Sequence, residues 1–296
     1  MPSATARSLK TSRSRVLGVI VNRISDPFYS EVLDGIQDVL FSAGYSLFLA
    51  ATDHNPDREK VILRAMTERR VDGLIVCSVF VNRQFRTQFG AHSMPMVVVH
   101  NRAYDNGSHS INHDDVYGSQ QMTRHLIELG HTRIAFLGNA RAVCETEERL
   151  KGFREAMQAA GLTLPAEYIV YAAKGHLAAG REAICPLLDL PNPPTALVCF
   201  NDMLAIGAMQ MLQESGRRVP ADCSVVGFDN IPFSAFVTPS LTTFNQPKYQ
   251  LGQEAARMIL RLLGTQSRRK TNPKPDVITL RGEILIRAST APPPRL

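Results

Sequence analysis

The feature that most constrains the fold is an alternation of short apolar runs with amphipathic segments along most of the chain. Runs such as VLGVIV (16–21) and VDGLIVCS (71–78) are nearly continuous in Val, Ile and Leu, which is typical of strands buried on both faces of a parallel sheet. The segments between them carry apolar residues at helical spacing; in the first of these, they stand at positions 28, 29, 32, 33, 36, 39 and 40. This alternation predicts an α/β protein with doubly wound parallel sheets.

The number of predicted strands indicates two lobes. About ten strands are many for one sheet of this kind, and the strand-helix rhythm breaks near INHDDVYG, after about four units. We predict an N-terminal lobe of residues 15–115 plus 246–276 and a C-terminal lobe of residues 116–245 plus 277–296. Residues 1–15 precede the first strand and are too polar for a core.

Polar residues recur where the predicted strands end, and parallel sheets bind ligands beyond the carboxyl ends of their strands. Each of these residues is also an ordinary helix cap or turn residue, but their recurrence predicts a polar crevice between the lobes. They are Asn22, Asp53, Ser78, Asn101, Asn139, Asn201 and Asp229.

Charge and cysteine content exclude several classes of protein. Of the 33 basic residues, eight lie in residues 1–15 and in RRKTNPK (268–274), so the remaining 25 face 27 acidic residues. Basicity is therefore local, and only the N-terminal arm is expected to meet a polyanion. Five scattered cysteines without a C-x-x-C pair, and no apolar run of 18 residues, favour a cytoplasmic protein that does not enter a membrane.

The motifs of common catalytic and cofactor sites are absent from the sequence. There is no G-x-G-x-x-G, no G-x-x-x-x-G-K-[ST] and no G-x-S-x-G. HDD (113–115) lies at a predicted strand-to-helix turn, where Asp is a favoured cap, so we expect no metal there. We predict a binding protein rather than an enzyme, with no cofactor.

The residues for binding are present. Arg149, Asn201 and Asp229 supply a guanidinium, an amide and a carboxylate, which together suit vicinal hydroxyls or the edge of a base. Phe28 and Tyr29 open a predicted helix at the mouth of the first strand. Adjacent aromatic residues point about 100° apart on a helix, so we expect one in the core and the other in the crevice.

Several motifs, in their order along the chain, resemble the lactose/galactose-repressor (LacI/GalR) family of bacterial transcription regulators. The resemblance runs from about residue 6 to residue 290. The motifs are ARSLKT, RVLGVIVNRISDPFYSEVLDGI, ERRVDGLIV, LGHTRIAFLG, ERLKGFREAM, CFNDMLAIGAM, VPADCSVVGFDNIPFSAFVTPSLTT and ILIRAST.

The resemblance implies a function for the basic arm. ARSLK looks like the end of the hinge helix that joins a helix-turn-helix headpiece to the effector-binding core, so residues 1–15 are expected to be a hinge remnant without its headpiece. In the family, two hinge helices enter the minor groove and a leucine kinks the duplex. Leu9 matches that leucine, and the DNA contacts implied are Arg7, Ser8, Leu9 and Lys10.

The resemblance also implies a fold, partners and a ligand site. The fold is that of type I periplasmic binding proteins, the partners are a small polar effector and operator DNA, and the protein is expected to be a homodimer. Many members stack an aromatic residue on the ligand near this position, where this chain offers Lys174 or His176 instead, which leaves room for an acidic sugar or another anion. The ligand-binding residues implied are Phe28, Tyr29, Asn101, Arg149, Lys174, Asn201 and Asp229. The alternative is a periplasmic sugar-binding protein of a transporter, against which the hinge-like arm argues.

Overall fold

A computed structural model describes residues 13–53, 55–77, 94–99, 108–266 and 275–294, except the side chains of residues 265 and 266. Twelve strands lie in these ranges: β1 (Val16–Val21), β2 (Ser46–Ala51), β3 (Gly73–Cys77), β4 (Met96–Val99), β5 (His109–His113), β6 (Ile134–Asn139), β7 (Ile169–Ala172), β8 (Ala196–Cys199), β9 (Ser224–Asp229), β10 (Thr242–Asn245), β11 (Val277–Leu280) and β12 (Glu283–Leu285).

The helices of the described residues fall between these strands. They are α1 (Phe28–Ser42), α2 (Pro56–Glu68), α3 (Asp115–Glu128), α4 (Val143–Ala159), α5 (Leu177–Ala183), α6 (Cys185–Leu188), α7 (Asp202–Glu214) and α8 (Lys248–Gln266). Two short 3-10 turns cover Ala166–Tyr168 and Pro232–Ala235.

The chain divides into two compact units. The first unit holds Met1–His113 and Pro247–Leu280, and the second holds Asp114–Gln246 and Arg281–Leu296. This division differs from the predicted one in the C-terminal part, because β11 pairs with β5 of the first unit and not with a strand of the second. Asp114 and Asp115 also join the second unit, since Asp114 caps α3 through a hydrogen bond that its carboxylate accepts from the Tyr117 amide.

Each unit is built on one six-stranded sheet. The first sheet has the order β11-β5-β4-β3-β1-β2, and all its pairs are parallel. The second has the order β12-β10-β9-β8-β6-β7 and is parallel except for the antiparallel pair of β12 with β10. The predicted doubly wound parallel sheets are thus observed, with one antiparallel edge strand added.

Helices cover both faces of each sheet. In β1, Val19 and Val21 point into a core that α1 and α8 complete, whereas Ile20 points into the opposite core with Met66 of α2. The second sheet is covered in the same way: alternate residues of its central strands contact α5 and α7 on one face, and α3 and α4 on the other. Burial on both faces explains why the strands are almost continuously apolar.

Two helices of the first unit cross at glycines. A Cβ atom added to Gly252 of α8 would lie 2.0 Å from the carbonyl oxygen of Val32 in α1, and one added to Gly35 would lie 2.1 Å from that of Tyr249. The two backbones are therefore in direct contact, and neither position has room for a side chain.

His131 fastens the C-terminal segment to the second unit. Its Nε2 donates to the carbonyl oxygen of Ala291 at 2.8 Å, and its Nδ1 lies 2.9 Å from the Thr195 hydroxyl. The ring is buried, and burial lowers its pKa below the usual 6.5. Because the carbonyl only accepts hydrogen bonds, the neutral ring carries its proton on Nε2 and accepts from Thr195 on Nδ1.

Candidate functional site

Three of the predicted polar residues lie where strands of the second sheet end. Asn139 is the last residue of β6, Asp229 is the last residue of β9, and Asn201 follows β8 as the N-cap of α7. The three strands are parallel, so these residues share one edge of the sheet, which is where α/β proteins bind ligands. This edge of the second unit is the candidate site.

Arg149, on α4, is held at this edge by polar and aromatic contacts. The side chain is only 3% exposed. Its Nε donates to Asp115 Oδ1 at 2.7 Å, and its Nη1 donates to the carbonyl oxygen of Phe200. The guanidinium carbon lies 4.3 Å from the ring centroid of Phe200 and 3.9 Å from that of Phe228. The planar cation is thus stacked on aromatic faces and fixed at two of its nitrogens.

The remaining guanidinium nitrogen, Nη2, has no hydrogen-bond partner among the residues that the structure describes. Arg149 therefore keeps donor capacity for a ligand while its orientation is set by the protein.

Asp229 is held in an unusual backbone conformation. Its φ angle is 118°, which side chains of L residues rarely adopt, and the next residue, Asn230, also has a positive φ, 53°. The carboxylate is buried, and its Oδ1 accepts a hydrogen bond of 2.5 Å from Gln246 Nε2. Strained backbone of this kind persists where the surroundings impose it, often at ligand sites.

Asn201 has structural partners at both ends of its amide. Its Oδ1 accepts from the Leu204 amide at 2.9 Å, which caps α7, and its Nδ2 donates to the carbonyl oxygen of Gly175 at 3.2 Å. Asn201 therefore connects the start of α7 to the turn before α5. Lys174 lies in that turn and is exposed.

The first unit carries the predicted aromatic pair, and here one expectation is wrong. We expected one ring of Phe28 and Tyr29 in the core and the other outside it. Both are buried, their rings meet edge-on at 5.2 Å between centroids, and both belong to the core under α1. Both rings belong to one apolar cluster that residues of β1, β3 and α8 share.

Polar residues also follow the strands of the first unit. Asp53 follows β2 with a φ angle of 53°, its amide donates to the carbonyl oxygen of Asn22 at 2.7 Å, and its carboxylate lies 3.4 Å from Arg23 Nε. Asp26 accepts from the Phe28 amide at 3.0 Å, and burial raises the pKa of its carboxyl. The remaining predicted residues lie outside the described residues: Ser78, Asn101 and the hinge residues Arg7, Ser8, Leu9 and Lys10.

Four residues that build the site were not predicted from the sequence: Asp115, Phe200, Phe228 and Gln246. Asp115 was interpreted only as a cap within HDD, and the two phenylalanines look like ordinary core residues that end apolar runs. Gln246 gave one usable signal, since it stands between the strand β10 and Pro247. Its contact with Asp229, 17 residues away, depends on the pairing of β9 with β10.

No group of three or more His, Cys, Asp or Glu side chains within the described ranges could hold a metal ion. Among the same residues, no helix is both long and apolar enough to cross a membrane.

Comparison with known proteins identifies the relatives of the chain. Residues 123–290 match a periplasmic binding protein-like domain. The chain is 35% identical over 286 residues to the HTH-type transcriptional repressor PurR of Aliivibrio salmonicida (strain LFI1238), which covers 94% of this chain and 84% of that protein. A PurR from Actinobacillus pleuropneumoniae serotype 3 (strain JL03) is 34% identical over 288 residues, covering 97% and 84%.

Solved structures of similar proteins agree with this relationship. A LacI family transcriptional regulator from Enterococcus faecium with bound ribose has a TM-score of 0.83 at 27% identity, covering 94% of this chain and 99% of that one. The similarity spans both units, and the curated relatives are repressors rather than transport proteins, which decides against the periplasmic alternative. The chain belongs to the LacI/GalR family of bacterial transcription regulators.

Proposed function

We propose that this protein binds a small polar effector, a sugar or sugar derivative, at the strand ends of the second unit and thereby controls its affinity for operator DNA. One observation carries the proposal: Arg149 and Asp229 are both buried and are joined through Phe228, which precedes Asp229 in β9 and stacks on the guanidinium. A cation and a carboxylate, both fixed and next to an aromatic face, suit a ligand with hydroxyl groups.

The ligands of relatives support a sugar-type effector. The Enterococcus faecium regulator holds ribose, and the regulator CelR, which is 25% identical with a TM-score of 0.85, was solved as a complex with cellobiose. Exposed Lys174 favours an acidic sugar within this class, because its ammonium group lies on the turn that Asn201 holds. As effector contacts, Phe28, Tyr29 and Asn101 stay predictions from the resemblance.

The experiment is a thermal-shift screen of sugars, sugar acids and nucleobases, followed by titration of the best ligand against two variants. A ligand that binds only the folded protein raises its melting temperature. Asp229→Asn keeps the shape of the side chain and removes its charge, and we expect it to weaken binding by at least about 2 kcal/mol, or about 30-fold. The matched control is Asp222→Asn, since Asp222 is a carboxylate of the same unit that pairs with exposed Arg218. Equal affinity of wild type and Asp229→Asn would contradict the assignment.

The DNA-binding part of the proposal rests on the hinge motif and on the repressor relatives. We propose that Leu9 kinks operator DNA in the minor groove and that Arg7, Ser8 and Lys10 contact the backbone, in a cytoplasmic protein. In a chain that carries a helix-turn-helix headpiece upstream of Ala4, Leu9→Ala should weaken operator binding by a few kcal/mol and leave effector affinity unchanged. Operator affinity equal to that of the unmutated chain would assign residues 1–15 to a linker.

A homodimer is part of the same proposal, because operator sites are read by two-fold symmetric pairs. Both units present exposed apolar side chains that a partner copy could cover: Val61 on α2, and Phe236 with Ile286 on the second unit, exposed by 68%, 85% and 63%. The test is the mass in solution at micromolar concentration, where a monomer would contradict the proposal.

A further inference from the structure

Two consecutive residues with positive φ angles lie where β9 ends and the next turn begins, and neither is glycine. Asp229 has φ 118° and Asn230 has φ 53°. Side chains of L residues rarely adopt such a conformation, and it persists only when its surroundings impose it. The contacts that impose this turn therefore also determine where the Asp229 carboxylate points.

Asn230 is held by hydrogen bonds at its backbone and at both ends of its side-chain amide. Its Oδ1 accepts a long one from Ser234 Oγ at 3.4 Å, and three others are shorter. Its amide nitrogen donates to Thr243 Oγ1 at 3.2 Å, and its Nδ2 donates to Asn245 Oδ1 at 3.0 Å. Both partners lie on β10, the neighbouring strand. The third bond is charged: Asn230 Oδ1 accepts from Arg287 Nη2 at 2.7 Å. Charge-assisted bonds are the stronger kind, so the bond from Arg287 is a strong constraint on this side chain.

Arg287 is itself fixed at several points. Its Nη1 donates to Ser234 Oγ at 3.0 Å and to the carbonyl oxygen of Leu241 at 2.8 Å, and its backbone amide donates to Thr242 Oγ1 at 2.9 Å. The guanidinium thus ties the segment after β12 to the turn Pro232–Ala235 and to Asn230. The planar guanidinium presents several donors in a rigid arrangement that no other side chain provides.

We propose that Arg287 is a positioning residue for the Asp229 carboxylate. By holding Asn230 in its left-handed conformation, it keeps the preceding carboxylate directed at Gln246 Nε2, and so at the effector. The hydrogen bonds of Arg287 among the described residues go to other groups than Asp229 and Gln246. The inference rests on the proposed function in one respect, which is that Asp229 receives the effector.

The hydrogen bond from Gln246 to Asp229 gives a readout that needs no effector. In protein labelled with 15N-glutamine, the Gln246 side-chain amide is assigned by its loss in Gln246→Met. We expect Arg287→Gln to move this signal toward that of an unbonded amide and to speed its hydrogen exchange by at least about tenfold. Lysine offers one compact ammonium group in place of the planar fork of arginine. In Arg287→Lys, the shift and the exchange rate of the Gln246 signal should therefore lie between those of wild type and Arg287→Gln.

Two further variants separate positioning from general stability. Arg217→Gln removes another half-buried arginine of the same unit, whose Nη2 donates to the Leu188 carbonyl oxygen at 2.7 Å, and should leave the Gln246 signal unchanged. Asn230→Gly supplies a residue that adopts positive φ freely. In a protein that carries Asn230→Gly, adding Arg287→Gln should therefore move the Gln246 signal less than it does in wild type. A Gln246 signal that Arg287→Gln leaves unchanged, or that Arg217→Gln moves equally, would overturn the inference.

Binding of the best ligand from the screen, with D-ribose as the first probe, separates this inference from the proposed function. If Asp229→Asn binds as wild type does, the proposed function fails, while the Gln246 signal still decides the role of Arg287. If Asp229→Asn weakens binding and Arg287→Gln does not, the positioning role fails and the proposed function stands.

Discussion

The crossing of α8 and α1 allows a comparison of one substitution at two positions of one helix. Gly252 and Gly264 both lie on α8. A Cβ atom at Gly252 would meet the Val32 carbonyl oxygen at 2.0 Å, whereas one at Gly264 would meet nothing within 4 Å. Gly252→Ala and Gly264→Ala therefore add the same methyl group to the same helix, against backbone in one case and into open space in the other.

The geometry gives the size of the effect. Cβ atoms essentially never approach another heavy atom closer than 3.0 Å, so Gly252→Ala must move the two helices apart by about 1 Å. The obstacle is a backbone carbonyl, which cannot turn away as a side chain can. Overpacking of this kind costs about 3 kcal/mol, and the better helix propensity of alanine returns about 1 kcal/mol. The net loss is about 2 kcal/mol, while Gly264→Ala, in the last turns of the helix, gains about 0.5 kcal/mol.

The assay is thermal unfolding of both variants and wild type, followed by circular dichroism in the same buffer. We expect Gly252→Ala to melt about 4–8 °C below wild type and Gly264→Ala to melt at or slightly above it. If Gly252→Ala were as stable as Gly264→Ala, the backbone contact between α8 and α1 would not exist as described.

Two further predictions concern buried charge. The folded state lowers the pKa of His131, so the unfolded chain binds the proton more readily; the stability that the neutral ring confers is present above pH 6.5 and lost as the pH falls below it. When the pH is lowered from 7.5 to 5.5, the melting temperature of His131→Gln should therefore fall less than that of wild type. Arg149→Met leaves the buried Asp115 carboxylate without its guanidinium and should cost about 3–5 kcal/mol in denaturant unfolding; a loss below about 1 kcal/mol would show that the pair is not buried as described.

The fold could be predicted where the signal is local in the chain. The apolar run Val16–Val21 is a strand because both of its faces are buried, and burial on both faces leaves a continuous apolar pattern. Strand β11 was assigned to the second unit because nothing in its four residues specifies β5 as its neighbour, more than 160 positions earlier.

The polar residues at the strand ends could be predicted from the sequence, whereas the contacts that hold them in the site could not. Asp229 could be named because a carboxylate at a strand end is visible in sequence, and Arg149 because a guanidinium suits hydroxyl groups and the resemblance to the LacI/GalR family implies it as a ligand-binding residue. Phe200 and Phe228 stack on Arg149. Gln246 donates a hydrogen bond to Asp229, and Arg287 donates one to Asn230. Only the tertiary fold brings these residues together. The cluster that holds both Phe28 and Tyr29 has the same origin, since it includes residues of α8, which returns to the first unit from the far end of the chain.

The late return of α8 and β11 to the first unit has a consequence for the order in which the protein folds during its synthesis. Domains generally fold as they leave the ribosome, the N-terminal one first, at about 5–20 residues per second. Here the first unit lacks Pro247–Leu280 until the whole of Asp114–Gln246 has been made, a delay of roughly 10–30 s at that rate. The second unit lacks only its edge strand β12 and the C-terminal segment when Gln246 emerges. We therefore expect the second unit, although it is encoded later, to form most of its sheet first. The N-terminal strands can complete their unit only after α8 and β11 have been synthesised.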